Sequence, residues 1–441
     1  MKEFDKIIGY EPVKLELKRI ADMMVNQQKY KNLGVRMPKG LLLFGKPGVG
    51  KTLMANCLIA ASKRKFFVCR KDKPNGDFIK ELKRIYGLAK ENAPSIVFLD
   101  DMDKFANEDE RHKNAEEYVT IQACIDELGN KDVFTIATVN SKKNLPDSLL
   151  RAGRFDKNIK IEIPEGDDAV KIIEHYLKQK KYVSEIDLTE IARILIGKSC
   201  AELETVINEA GIYAGYLNKQ SIEFEDIIKA YMRVIFNEPE DNLKEDDFFD
   251  EPEDDLKKED IFIENLACHE AGHAVVAEVL EPGSVSLVSI SRHIGETGGI
   301  TSYYQDGRYW KSKKNMENHV IGLLAGKAAI EIKYGDCCDV GANEDIDRAI
   351  YIVESLVGNY CEYGFDKFEF LARSSDEFRL RRENAIYAEM EKYYQMAKKI
   401  IVDNKQFFDS MVRMLIEKKT LISKDIQEIK NSIKTETLIE S

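Results

Sequence analysis

The sequence predicts an α/β domain built on a parallel sheet, followed by a small helical lid and then by a mostly α-helical second domain. Short apolar runs alternate with amphipathic segments over the first third of the chain, a pattern typical of a parallel sheet with helices on both faces. From about Asp167 the apolar spacing becomes helical, and a strongly acidic segment over 237–260 then separates two folded halves.

The boundaries follow from these changes of pattern. The segment 237–260 contains thirteen acidic and three basic side chains, too many charges to pack, so we expect a solvated linker there. This gives an α/β domain over 1–166, a lid over 167–236, the linker over 237–260 and a second domain over 261–435. The predicted strands of the first domain are Gly40–Phe44, Lys65–Cys69, Ser95–Leu99, Val133–Val139 and Asn158–Ile163.

The second domain returns to helical periodicity from Ile261, interrupted by a β-like stretch over Val285–Tyr304. We expect an apolar core helix over Val320–Glu331 and a long helix over Ile346–Tyr360. The tail is predicted to be helical to the end.

Composition excludes several classes of protein. A length of 441 residues favours at least two domains, and a net charge of -12 argues against nucleic acid as a partner. The eight cysteines form no Cys-x-x-Cys pair, which excludes a thiolate zinc site and favours a reducing cytoplasm. No run approaches the roughly 20 apolar residues of a membrane-spanning helix, so we expect a chain without a membrane anchor.

A phosphate-binding loop is indicated by Gly45-Lys-Pro-Gly-Val-Gly-Lys51-Thr52, which lies between a predicted strand and a helix. The glycines allow backbone N–H groups to surround phosphates, Lys51 adds a positive charge, and the Thr52 hydroxyl can hold Mg²⁺. The predicted nucleotide-binding residues of this loop are Gly45, Pro47, Gly48, Val49, Gly50, Lys51 and Thr52.

Two carboxylates follow the strand that ends at Leu99. Asp100 would complete the Mg²⁺ coordination, and Asp101 would polarise the attacking water. Strands that end in acidic residues are common, but the position of this one after the phosphate loop favours the functional interpretation.

A metal site is indicated by His269-Glu270-Ala-Gly-His273, at the predicted start of an amphipathic helix that runs to about Leu280. Histidines four residues apart share one helix face and suit zinc, and Glu270 can accept a proton from a water that the metal activates.

A third protein ligand is needed, because catalytic zinc takes three and leaves one position open. The candidates lie in and directly after the segment Gly341–Ile346, where the acidic residues Glu344, Asp345 and Asp347 open the next long helix. His293 and His319 are weaker candidates, since a lone histidine is more often a packing or surface residue.

In this order, the motifs resemble those of the AAA+ ATPases and, more narrowly, the FtsH family of ATP-dependent zinc metalloproteases. The match runs from about Phe4 to about Phe370. It implies an enzyme that uses Zn²⁺, ATP and Mg²⁺ to unfold and processively degrade proteins. The implied substrates are unfolded or tagged proteins. It also implies a homo-oligomeric ring, a hexamer.

The resemblance assigns further roles. Asn140 is similar to the sensor asparagine of the family, and Arg151 and Arg154 are similar to its arginine fingers, which reach the nucleotide of the neighbouring subunit. Asp345 takes the position of the aspartate that completes the zinc sphere. Ile8-Gly9 resembles the segment beside the adenine, Gly197–Leu203 the lid motif, and Val285–Ser291 with Gly299–Tyr303 the β-edge where a peptide would add as a strand.

Two departures from the family pattern leave alternatives open. The family carries Glu where this chain has Asp101, and its aromatic pore loop is replaced by Lys73-Pro-Asn-Gly76, with Phe78 nearby. A remodelling ATPase, or a peptidase only weakly coupled to ATP hydrolysis, is therefore the alternative. Family members also begin with transmembrane segments, so the resemblance carries no expectation of membrane anchoring to this chain.

Overall fold

The computed structural model describes residues 2–72, 74–106, 115–236, 253–291, 298–304, 312–335, 340–364 and 376–440. The chain divides into two compact units, Met1–Ala230 and Tyr231–Ser441. Within the described ranges, no helix is both long and apolar enough to cross a bilayer.

The first unit is built on a five-stranded sheet of order β2-β3-β4-β1-β5, in which every neighbouring pair is parallel. This confirms the predicted α/β fold. The fifth strand ends before the expected Ile163, because it is an edge strand that pairs only with Leu41–Phe44. The strands are β1 (Gly40–Phe44), β2 (Lys65–Cys69), β3 (Ser95–Leu99), β4 (Val133–Val139) and β5 (Lys157–Lys160).

Helices cover this sheet and bury its apolar residues. Phe78 and Leu82 of one helix and Tyr118 and Ile121 of another are almost fully buried against the strands, in a core that includes Val97. The helices of this part are α1 (Glu11–Val25), α2 (Gln27–Asn32), α3 (Lys51–Ser62), α4 (Asn75–Glu91) and α5 (Glu116–Glu127).

The lid is helical, as the spacing predicts. Its third helix begins with a capping box, in which the Ser199 hydroxyl accepts from the Glu202 N–H and the Glu202 carboxylate accepts from the Ser199 N–H. The helices are α6 (Asp167–Leu177), α7 (Leu188–Ile194), α8 (Cys200–Tyr216) and α9 (Phe224–Phe236), the boundary between the units passing through the last.

The second unit packs helices around the long helix that carries both metal-site histidines. A small antiparallel sheet of order β7-β6-β8 covers part of the same core. The helices are α10 (Glu253–Leu280), α11 (Lys313–Leu323), α12 (Ala325–Tyr334), α13 (Asn343–Glu354), α14 (Asp376–Asp403), α15 (Lys405–Lys418) and α16 (Ser423–Glu440). The strands are β6 (Val285–Ser289), β7 (Ile300–Tyr303) and β8 (Thr420–Ile422).

The helix α10 starts earlier than the sequence indicates. It begins at Glu253 rather than at His269, because the residues between these two include neither glycine nor proline and nothing stops the helix. The first part of the expected linker, 237–252, lies outside the described residues, and 253–260 belong to this helix.

Three further differences concern the second unit. The expected helix over Val320–Glu331 is two helices that meet at Leu324, near Gly322 and Gly326, both poor helix formers. The expected helix to Tyr360 ends at Glu354 and continues as one π-helical turn. The strand β8, within the predicted helical tail, has only three residues and pairs with β6.

Candidate nucleotide and metal sites

The phosphate loop forms one wall of a cavity of about 650 Å³ in the first unit. Ligand pockets of drug-sized molecules have about this volume. Ile7, Ile8 and Tyr10 line it near the N-terminus, and Tyr176 lines it from the lid, so an apolar base and charged phosphates can both be accommodated. The loop contributes Pro47, Gly48, Val49, Gly50, Lys51 and Thr52.

The lid docks on the phosphate loop at Gly48. Its carbonyl accepts from the Ala201 N–H at 3.1 Å, and a Cβ at this position would lie 2.7 Å from the Ser199 hydroxyl. The φ of +77° at Gly48 also disfavours any other residue. The glycine therefore allows the start of α8 to reach the nucleotide cavity.

Lys51 and Asn140 meet in this cavity. The Lys51 ammonium donates to the Asn140 side-chain oxygen and to the carbonyls of Gly45 and Lys46, each at 2.9 Å. Burial lowers the pKa of Lys51, and neighbouring acidic residues oppose that shift. The predicted sensor asparagine thus directly contacts the predicted phosphate-binding lysine.

Asp100 and Thr52 converge as the Mg²⁺ prediction requires. The Thr52 hydroxyl donates to Asp100 Oδ1 at 3.0 Å, and the Thr138 hydroxyl donates to the same oxygen at 2.9 Å. Carboxylate and hydroxyl oxygens are the hard donors that Mg²⁺ prefers, so these residues fit the ion.

Asp101 lies at the edge of the same cavity with φ 53°, in the left-handed region. Its carboxylate accepts from Lys104 at 2.8 Å, and its N–H donates to the Thr138 hydroxyl at 2.8 Å. The backbone of this residue is therefore fixed, whereas its carboxylate is held by a single exposed lysine.

The two predicted arginine fingers differ in their surroundings. Arg154 donates to both carboxylate oxygens of Asp126, at 3.2 and 2.8 Å, and also to Gln122 and to the Ser148 carbonyl. Arg151 is exposed. Within this chain, Arg154 is therefore engaged in several contacts, whereas the Arg151 side chain is exposed, and the arginine-finger role of both residues stays a prediction.

Phe78, the aromatic residue near the expected pore loop, is not at the surface. It is fully buried and packs edge to face against Phe105, with ring centroids 4.8 Å apart. The spacing of Phe78, Leu82 and Ile85 on α4 could have identified it as a core residue, because these positions share one helix face. Lys73 lies outside the described residues.

His269, His273 and Asp345 form a cluster in the second unit, and their potential ligand atoms lie within 4.8 Å of one another. The Nε2 atoms of the histidines are 3.0 Å apart, and Asp345 Oδ2 lies 3.5 and 3.1 Å from them. Two imidazole nitrogens and a carboxylate that converge in this way are a donor set that fits zinc.

The surroundings of the cluster orient its ligands. His273 Nδ1 lies 2.7 Å from the Gly322 carbonyl, so the ring donates there and its Nε2 would be free to bind a metal. A Cβ at Gly326 would lie within 2.6 Å of ring atoms of both histidines. This glycine therefore keeps α12 close to the site without displacing the imidazoles.

Glu270 lies beside the cluster without being part of it. Burial raises the pKa of this carboxyl, and the nearby histidines partly oppose that shift. Its Oε2 accepts from the Thr301 hydroxyl at 2.7 Å, and Thr301 belongs to β7, an edge strand of the small sheet. The strand β7, part of the edge expected to bind peptide, is thus hydrogen-bonded directly to the predicted catalytic base.

The alternative ligands point elsewhere. Glu344 pairs with Arg348 at 3.0 Å, and Asp347 is exposed. His319 is outside the metal cluster, and burial lowers its pKa to about 4. His293 lies outside the described residues.

Two contacts at these sites were not predicted, one made by Arg70 and one by Thr301 of the expected β-edge. Arg70 donates to Asp100 through two N–H groups, and the signal was its position directly after β2, since parallel strands end at the same edge. Thr301 contacts Glu270 across 31 positions of the chain, and no local sequence pattern indicates this contact.

Comparisons with known proteins match both halves of the chain. Residues 41–163 match the ATPase family associated with various cellular activities (AAA), and residues 263–429 match peptidase family M41. The chain therefore carries an ATPase domain and a metallopeptidase domain in this order.

Several relatives that the chain resembles over nearly its whole length are named ATP-dependent zinc metalloprotease FtsH or FtsH 2. The chain is 29% identical to ATP-dependent zinc metalloprotease FtsH 2 of Phytoplasma mali, over 97% of this chain and 63% of that protein. The protein of the same name from Thermoanaerobacter sp. is also 29% identical, with 97% and 82% covered. ATP-dependent zinc metalloprotease FtsH of Mycoplasmoides gallisepticum is 30% identical, with 98% and 58% covered.

Proposed function

We propose that this chain, an FtsH-like protein with an AAA domain and a peptidase family M41 domain, degrades proteins by zinc-dependent peptide hydrolysis driven by ATP. The observation that carries the proposal is the presence of two assembled sites on one chain. One is the Lys51–Asn140 cavity, and the other is the cluster of His269, His273 and Asp345 with Glu270 beside it.

At the first site, the proposed division of labour follows from the contacts. The phosphate loop and Lys51 would bind the phosphates, while Thr52 and Asp100 would hold Mg²⁺. Asp101 would orient the attacking water, and Arg151 would contact the nucleotide of a neighbouring subunit. Because Arg151 would act on a neighbouring subunit, the proposal includes a homo-oligomeric ring, a hexamer.

At the second site, His269, His273 and Asp345 would hold zinc, which supplies Lewis-acid chemistry when bound. The raised pKa of Glu270 brings its proton affinity closer to that needed by a general base at neutral pH. Thr301 fixes one oxygen of Glu270, so the other oxygen is available to take a proton. The edge strand β7 would position an extended peptide beside this carboxylate.

The proposal includes unfolded or tagged proteins as substrates and a cytoplasmic location. We also propose the division into an ATPase domain over 1–166, a lid over 167–236, a linker over 237–260, of which residues 253–260 are helical, and a peptidase domain over 261–435.

A weakly coupled peptidase is the second candidate, because Phe78 is buried and Asp101 replaces the longer glutamate. The buried Phe78 ring cannot contact a substrate, so it cannot act as the aromatic residue of a pore loop. Such an enzyme would cleave short peptides with or without ATP hydrolysis.

Two substitutions test the proposal. Glu270→Gln should abolish cleavage of a loosely folded protein and leave ATP hydrolysis intact, whereas Lys51→Ala should abolish ATP hydrolysis and leave zinc content unchanged. Persistent degradation by the Glu270→Gln protein would refute the assignment of the base. Cleavage of the loosely folded protein by the Lys51→Ala protein at the parent rate would favour the weakly coupled peptidase.

A further inference from the structure

Arg70 donates two hydrogen bonds to one oxygen of the carboxylate expected to bind Mg²⁺. Its Nε and Nη2 donate to Asp100 Oδ2 at 3.0 and 2.7 Å. The parallel register pairs Cys69 with Leu99, so the residues that follow these two strands are neighbours. The Asp100 carboxylate is buried, whereas the Arg70 side chain is 66% exposed and reaches it from the surface.

The two oxygens of Asp100 have different partners. Oδ1 accepts from the neutral hydroxyls of Thr52 and Thr138, whereas Oδ2 accepts two N–H groups of the cationic guanidinium of Arg70. A guanidinium on a carboxylate is a charge-assisted pair that neutralises part of its negative charge. A second cation that approaches the same carboxylate is therefore attracted less strongly.

We propose that Arg70 is a positioning residue that weakens the affinity of the ATPase site for Mg²⁺ by competing with the ion for Asp100. The inference rests on the proposed function, in which Thr52 and Asp100 hold Mg²⁺. Removal of the positive charge should increase the affinity for Mg²⁺ rather than disorder the carboxylate, since both threonine hydroxyls still hold Oδ1.

A purely structural role for Arg70 predicts a different result. Loss of a structural ion pair would lower the melting temperature and leave the affinity for Mg²⁺ unchanged or reduced. The dependence of nucleotide binding on Mg²⁺ therefore separates the two roles, and it can be measured without any proteolysis.

The test uses the full chain as Arg70→Gln, which removes the charge, and Arg70→Lys, which retains it. The matched control is Arg84→Gln, since Arg84 is an exposed arginine that pairs with Glu81 on α4. Binding of a fluorescent ATP analogue would be measured at increasing free Mg²⁺, with EDTA as the reference, and melting curves would verify folding.

The half-saturating Mg²⁺ concentration should fall about three- to tenfold for Arg70→Gln, the range for loss of one partly exposed charge-assisted contact. It should remain within about twofold of the parent value for Arg70→Lys and Arg84→Gln, which retain a cation on Asp100. If the Arg70→Gln protein still binds nucleotide but its half-saturating Mg²⁺ concentration is unchanged or higher, the inference is overturned. Absence of nucleotide binding by the parent chain would instead refute the proposed ATPase, and this inference with it.

Discussion

Replacement of each predicted arginine finger should have a different consequence. Arg154 donates to the Asp126 carboxylate, to Gln122 and to the Ser148 carbonyl, and its side chain is only 21% exposed. Arg151 is exposed. We therefore expect Arg154→Ala to reduce stability and Arg151→Ala to reduce ATP hydrolysis.

The magnitude follows from the contacts of Arg154. The pair with Asp126, whose side chain is 56% exposed, contributes at most about 1 kcal/mol because solvent screens it. The bonds to Gln122 and Ser148 together add about 1 to 2 kcal/mol. A loss of about 2 kcal/mol from a unit of this size lowers the melting temperature by about 4–8 °C. Arg151→Ala should change the free energy of unfolding by less than about 0.5 kcal/mol.

The assays are differential scanning fluorimetry and phosphate release from ATP. An arginine finger contributes about 10³-fold or more to the rate of hydrolysis, so Arg151→Ala should nearly abolish phosphate release at an unchanged melting temperature. The reasoning is refuted if Arg154→Ala melts like the parent protein and loses hydrolysis as completely as Arg151→Ala.

Three further predictions concern Phe78, Thr301 and Glu270. Phe78→Ala should lower the free energy of unfolding by about 3–5 kcal/mol, while Phe66→Ala, at a half-exposed position, should change it by less than about 1 kcal/mol in urea melts. If the Phe78→Ala protein kept its stability but substrate no longer stimulated its ATP hydrolysis, Phe78 would instead be a pore residue. Thr301→Val should lower kcat for a peptide about tenfold at unchanged zinc content, and Thr301→Ser should restore it. An unaffected kcat would show that the Glu270 carboxylate is positioned without this bond. Burial raises the pKa of Glu270 above its ordinary value of 4.5, and only the ionised carboxylate can accept a proton. We therefore expect kcat to fall as the pH decreases, with a midpoint above pH 4.5. A midpoint below pH 4.5 would contradict this assignment.

The features that the sequence predicts most completely depend on local spacing. The phosphate loop needs only a strand, a short run of glycines and the start of a helix, and the histidine pair needs only one helix turn. Strands β1 to β4 were recognisable because each contains a short run of apolar residues. Strand β5 has the sequence Lys-Asn-Ile-Lys and is mostly exposed, and its predicted bounds were accordingly less accurate.

Features that depend on tertiary contacts were not accessible in the same way. Asp345 is 72 residues from His273 in the chain, so its selection over Glu344 depended on family resemblance. Strand β8 is only three residues long and exists because β6 offers a partner, which no local propensity predicts. The contact of Thr301 with Glu270 likewise arises only when β7 folds against α10.

The central claim is that cleavage at the second site is driven by ATP hydrolysis at the first. The most direct measurement is degradation of fluorescein-labelled casein by the zinc-loaded chain with ATP, with a non-hydrolysable analogue and without nucleotide. We predict degradation with ATP alone. Equal degradation in all three conditions would contradict coupling, and no degradation in any of them, with zinc bound, would contradict the proposed protease.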